Sequence, residues 1–118
     1  MSNSSWILGT IALVMAFLIM RQLLGGGKMP ATTVLEKIKS GAKIVDVRSP
    51  EEFRDGAYPG AVNIPLPDLS RRMDEIPKDK PVVVYCLSGA RSASAARMLK
   101  KAGYTDVINA GGLGDIPR

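Results

Sequence analysis

The sequence predicts an α/β fold: a small parallel sheet with helices on both faces, preceded by one N-terminal transmembrane helix. Between residues 33 and 109, short apolar runs alternate with segments whose apolar residues recur near every 3.6 positions, the pattern of strand–helix units. One run, Val82-Val83-Val84-Tyr85 behind Pro81, is apolar at every position, as a strand buried on both faces of a parallel sheet is. Trp6 to Met20 is an uncharged, almost wholly apolar stretch unlike anything that follows it.

From Ser4 to Leu24 there are 21 residues, broken only by Arg21, whose stem can snorkel; this matches the roughly 20 residues a helix needs to cross a bilayer. A cleaved secretory signal is the alternative, but Met1 to Ser5 lack its basic residues and no convincing small-x-small site precedes Gly25. Gly25-Gly26-Gly27-Lys28 reads as a flexible linker, since no strand precedes it and the glycine spacing of a phosphate loop is absent. Residues 1–27 are therefore anchor and linker, with 4–24 in contact with lipid, and 28–118 form the domain. Arg21 and Lys28 flank the C-terminal end of the span and no charge precedes it, so the positive-inside rule places the domain in the cytoplasm; an exported domain is the other topology.

Within the domain, Thr33-x-x-Glu36 has the form of a capping box opening a helix through Ile38, ended by Gly41. Lys43 to Val47 reads as the first strand. Ser49-Pro50-Glu51-Glu52 combines an N-cap, a proline at the first helical position and a capping glutamate, which predicts a short helix to about Arg54, stopped by Gly56. Ala61 to Ile64 is a second strand. Leu66, Leu69, Met73 and Ile76 mark the buried face of a further helix. After the Val82 strand, Ala95, Met98, Leu99 and Ala102 fall at i, i+3, i+4 and i+7, with Gly103 as the cap. Val107 to Asn109 is the last strand.

The chain carries 16 basic and 11 acidic residues, a net charge of +5, yet the basic residues are scattered and only three tyrosines, two phenylalanines and one tryptophan accompany them. That is a solvated surface rather than a nucleic-acid interface. A single cysteine excludes an intramolecular disulfide, a CxxC redox pair and a multi-cysteine zinc site, and the absence of histidine removes the commonest metal ligand and general base. No metal and no organic cofactor is expected.

The one cysteine, Cys86, stands where the Val82 strand ends and the loop Cys86-Leu87-Ser88-Gly89-Ala90-Arg91 leads into a helical pattern. Ligands in parallel α/β sheets bind at the carboxyl ends of strands. Loop N–H groups and a helix N-terminus aimed at the sulfur favour its anion, so the thiol is expected to be more acidic and more nucleophilic than a free cysteine. Judged alone, Cys86 reads equally as a small buried hydrophobe. Arg91 lies five positions after Cys86, where Cys-dependent phosphatases place an arginine six after theirs; the shorter loop suits a single sulfur atom better than a phosphate.

CLSGARS, with DVRSPEEF (46–53), GAYPGAVNIP (56–65) and NAGGL (109–113), resembles the rhodanese (thiosulfate sulfurtransferase) family, in family order over residues 31 to 116. The resemblance implies covalent catalysis by Cys86, which takes a sulfane sulfur from thiosulfate or a related anionic donor and passes it to cyanide or a thiol. Leu87, Ser88, Gly89, Ala90, Arg91 and Ser92 would bind the donor, Arg91 through paired hydrogen bonds, although Ser92 is equally placed to be an N-cap. Asp46 and Arg48, in the family's DVR motif, read as structural support, Asp46 ordering neighbouring loops and Arg48 pairing with Glu51 or Glu52. Leu87 departs from the polar or cationic residue that many members carry after the cysteine, which leaves Arg91 the only formal positive charge in the loop and thiosulfate a poor surrogate for the true donor. A non-catalytic sensing or tethering module of the same fold, and a Cys-dependent phosphatase, are the alternative functions.

Overall fold

The computed structural model describes residues 4–24 and 27–117, with the side chains of 5–20 and 27–117. Its elements are α1 (Ser4–Leu24), α2 (Ala31–Lys39), β1 (Lys43–Asp46), α3 (Pro50–Arg54), β2 (Val62–Asn63), two 3₁₀ turns (Leu66–Asp68 and Met73–Glu75), β3 (Val82–Cys86), α4 (Ala90–Lys101), β4 (Val107–Gly112) and a 3₁₀ turn at Leu113–Asp115. The four strands form one parallel sheet in the order β2-β1-β3-β4. β3 is buried at all five positions because both of its faces are covered, which is why its sequence does not alternate.

Successive residues of β3 feed two cores. Val82, Val84 and Cys86 join Val45, Leu69, Ala95, Ala96 and Leu99 under α4, while Val83 and Tyr85 join Val34, Ile44, Ile108 and Ile116 under α2. The buried stripe of α4 is Ser92, Ala95, Ala96 and Leu99, one turn nearer the N-terminus than the sequence pattern suggested; Ala102 is exposed, and the shift turns Ser92 inward. Gly103 caps the helix at φ +100°, and Tyr104 N–H closes onto the Leu99 carbonyl at 3.1 Å.

Three expectations change. α2 starts at Ala31 behind Pro30, and Thr33 makes no cap; it lies inside the helix. Leu66 to Ile76 is two 3₁₀ turns rather than one helix, closed by i to i+3 bonds such as Leu69 N–H to Leu66 O and Ile76 N–H to Met73 O. Leu69 and Ile76 are still buried, and Tyr104 Oη lies 2.8 and 2.7 Å from the carbonyls of Met73 and Ile76, so tertiary packing fixes a tighter path than helical spacing implied. Lys28 belongs to the domain edge rather than to a free linker. It bridges Asn109 in parallel, Met29 N–H donates to the Asn109 carbonyl at 2.8 Å, and Lys28 Nζ lies 3.3 Å from Asp115.

The N-terminal expectation is met only in part. A helix does run from Ser4 to Leu24, and Trp6, Leu13 and Phe17 are exposed on it. Its described side chains stop at residue 20, and among the described residues no helix is long and apolar enough to cross a membrane. The side chain of Arg21 and the glycines at 25 and 26, on which the orientation and most of the linker reading rest, lie outside the described residues.

Candidate active site

The carboxyl end of β3 delivers Cys86 to the sheet edge, and the chain must turn there at once into α4. Gly89 makes that turn at φ +106°, a conformation side chains resist, and serves as the N-cap of α4 without a side-chain bond. Its N–H then points back at the sulfur, donating to Cys86 Sγ at 2.9 Å, while Ser92 Oγ stands 3.3 Å from the same atom. Ser92 is therefore not an N-cap but a partner of the thiol from inside the first turn. Burial pushes the Cys86 thiol up, but the Ser92 hydroxyl and the N–H groups of Ser92, Gly89 and Ser88 together outweigh it and hold the thiol below its ordinary range.

Cys86 itself is 1% exposed. Leu87 and Ser88 form the exposed crest of that loop, with Ala90 beside them at the start of α4; Leu87 is 62% exposed. The loop leans on β4. A Cβ on Gly112 would overlap the Leu87 carbonyl, so only glycine permits this approach.

Asn109 was read in the sequence only as the end of a strand and as part of the NAGGL motif. It is 2% exposed, and its Oδ1 accepts from Gly111 N–H at 2.9 Å and sits 2.6 Å from Ser92 Oγ, while its Nδ2 donates to the Gly89 carbonyl at 3.3 Å. One polar side chain thus ties β4 to both groups that contact the sulfur. The signal available beforehand was an amide following Val107-Ile108 in an otherwise apolar strand.

The charged residues pair differently from expectation. Arg48 does not reach Glu51 or Glu52; its Nε lies 3.0 Å from both oxygens of Asp46 and its Nη2 2.7 Å from Oδ2, and it also donates to the Gly56 carbonyl. Asp46 further accepts the Arg48 N–H, which makes the turn after β1 self-closing. The Arg48 guanidinium lies 5.6 Å from the centre of the Tyr85 ring, whose hydroxyl accepts from Tyr58 N–H at 2.9 Å. Burial pushes the Tyr85 phenol up to about 12, so it stays protonated. This network lies beside β3 and supports the site without touching the sulfur.

Glu52 instead holds Arg91. Arg91 Nη1 and Nη2 donate to Glu52 Oε1 and Oε2 at 2.7 and 3.0 Å, a two-pronged bond across 39 residues of sequence. Glu52 is fixed by the predicted capping box: Ser49 N–H donates to its Oε1 and its own N–H to Ser49 Oγ. The Arg91 hydrogen bonds, helped by Ser49, lower the Glu52 carboxyl to about 2. No sequence spacing announces a pairing at such separation. Among the described residues no cluster of acidic and cysteine side chains is arranged to hold a metal.

Residues 30–114 match the Rhodanese-like domain family. The chain is 45% identical over 74 residues to thiosulfate sulfurtransferase PspE of Escherichia coli, covering 61% of this chain and 71% of that one. It is 44% identical over 81 residues to the uncharacterized protein YqhL of Bacillus subtilis, covering 66% of this chain and 64% of that relative, so it spans just under two thirds of that protein's length. Among solved structures, a rhodanese with anions from E. coli superposes with a TM-score of 0.61 at 40% identity, over 65% of this chain and 95% of that one.

Proposed function

The chain belongs to the rhodanese-like sulfurtransferase family, and we propose that it moves a sulfane sulfur from thiosulfate or a related donor to cyanide or a thiol through a persulfide on Cys86. The observation that carries this reading is the Gly89 N–H donated to Cys86 Sγ at 2.9 Å, with the Ser92 hydroxyl 3.3 Å from the same atom, around a thiol held below its ordinary range. The thiolate attacks the outer sulfur of the donor; a sulfur–sulfur bond forms, the donor's own bond to that sulfur breaks, and its electron pair leaves with sulfite or a thiolate. The acceptor then attacks the outer sulfur of the persulfide, and Cys86 departs as the thiolate it began as. Two displacements through one covalent intermediate give ping-pong kinetics. The loop N–H groups and the N-terminus of α4 stabilise the sulfur anion at each stage, so no imidazole base enters.

Incubation with thiosulfate is expected to raise the intact mass by one sulfur atom in the wild type and not in Cys86→Ser. No gain with thiosulfate or with a low-molecular-weight persulfide would favour a non-catalytic module, a reading that the near-complete burial of the thiol also suits.

We further propose that α1 anchors the domain to a membrane with the domain in the cytoplasm, where reducing thiols accept sulfur. Support comes from the apolar side chains exposed along α1 between Trp6 and Met20. The protein is expected to stay with membranes after carbonate washing and to be shielded from protease in intact cells. Release by carbonate would remove the anchor, and digestion in intact cells would reverse the topology.

A further inference from the structure

We propose that Glu52 determines donor specificity, setting the site against dianionic donors such as thiosulfate and toward organic persulfides of low charge. The inference rests on Cys86 being the reacting thiolate. Arg91 is the sole cation of the loop, and both of its terminal nitrogens are already occupied by Glu52. An incoming anion therefore competes with a carboxylate that already balances the guanidinium charge, is itself charged at neutral pH and is held on α3 by Ser49. A donor with an uncharged body meets no such competition, and the same loop exposes the apolar side chain of Leu87.

The pair is also placed to be contested. The Arg91 and Glu52 side chains are 38% and 29% exposed, so solvent screens the attraction and an anion can reach the arginine. What remains for stabilising the sulfur anion is the ring of backbone N–H groups, which do not distinguish a dianion from a monoanion by counter-charge.

The test compares alkylation of Cys86 by iodoacetate and by iodoacetamide, reagents of similar size that differ by one charge and require no sulfur transfer. Glu52→Gln keeps an oxygen for the Ser49 N–H and removes the charge. It is expected to raise the iodoacetate-to-iodoacetamide rate ratio about fivefold, the scale of one charge at a partly screened distance, and to raise the thiosulfate-to-persulfide ratio of kcat/KM in the same direction. In Glu52→Gln/Arg91→Ala the alkylation ratio should fall back, since the freed cation is gone. An unchanged or lowered ratio in Glu52→Gln, or a raised ratio that survives loss of Arg91, overturns the proposal. If Cys86 alkylates yet never accepts sulfur, the sulfurtransferase reading fails by itself, and the alkylation ratio still decides the role of Glu52.

Discussion

Two of the domain's arginine–carboxylate pairs involve residues of the predicted site, Asp46 with Arg48 and Glu52 with Arg91, and burial separates them. Asp46 and Arg48 have side chains 0% and 5% exposed, whereas Glu52 and Arg91 are 29% and 38% exposed. The first pair is local, two residues apart, and it closes the turn after β1, holds the Gly56 carbonyl and lies over Tyr85. The second joins two elements 39 residues apart at the mouth of the cysteine loop. The same chemistry thus does two jobs. A fork out of water is costly to break, because the abandoned partner stays charged in a poor solvent. A fork at the surface can open, because water replaces each partner.

Asp46→Ala breaks this comparison most forcefully. It is expected to cost about 3–5 kcal/mol in urea unfolding at pH 7, since it strands Arg48 in the interior. Replacing both members by apolar residues of similar size, Asp46→Leu with Arg48→Met, should recover most of that loss. A cost below about 1 kcal/mol for Asp46→Ala would put the two pairs in one class.

The smaller effect belongs to the Glu52 pair and depends on pH. The folded Glu52 carboxyl is lowered to about 2 from an ordinary 4.5, so its stabilising contribution is complete above pH 4.5 and drains away as pH falls toward 2. Glu52→Gln should therefore shift the urea midpoint slightly at pH 7, and the difference from wild type should shrink through that acid window. A difference that is constant from pH 7 to pH 2 would mean that the charge of Glu52 plays no part in it.

What could be read in advance follows range. The capping box at Ser49 and Glu52, the glycine cap at Gly103 and the buried β3 were all legible, because each is written within a few neighbouring residues. Leu66 to Ile76 was misread because a 3.6-residue spacing also arises where two tighter turns bury the same leucine and isoleucine. Cys86 and its loop were identified from a strand end and a glycine; that Asn109 would hold both Ser92 and Gly89 was not, since it needs β4 beside β3.

By itself the sequence determined the alternation of strands and helices, the position of the one thiol at a strand end and the lowering of that thiol by its own loop, because periodicity, caps and a following helix are properties of adjacent residues. Only the tertiary structure decided which carboxylate meets which arginine. Glu52 and Arg48 are four residues apart, close enough in the chain to suggest a pair, but Arg48 turns inward to Asp46 and the buried face of Tyr85, and Glu52 is left pointing at the loop from β3. Burial made that choice, for a guanidinium inside a protein takes the partner that is inside with it.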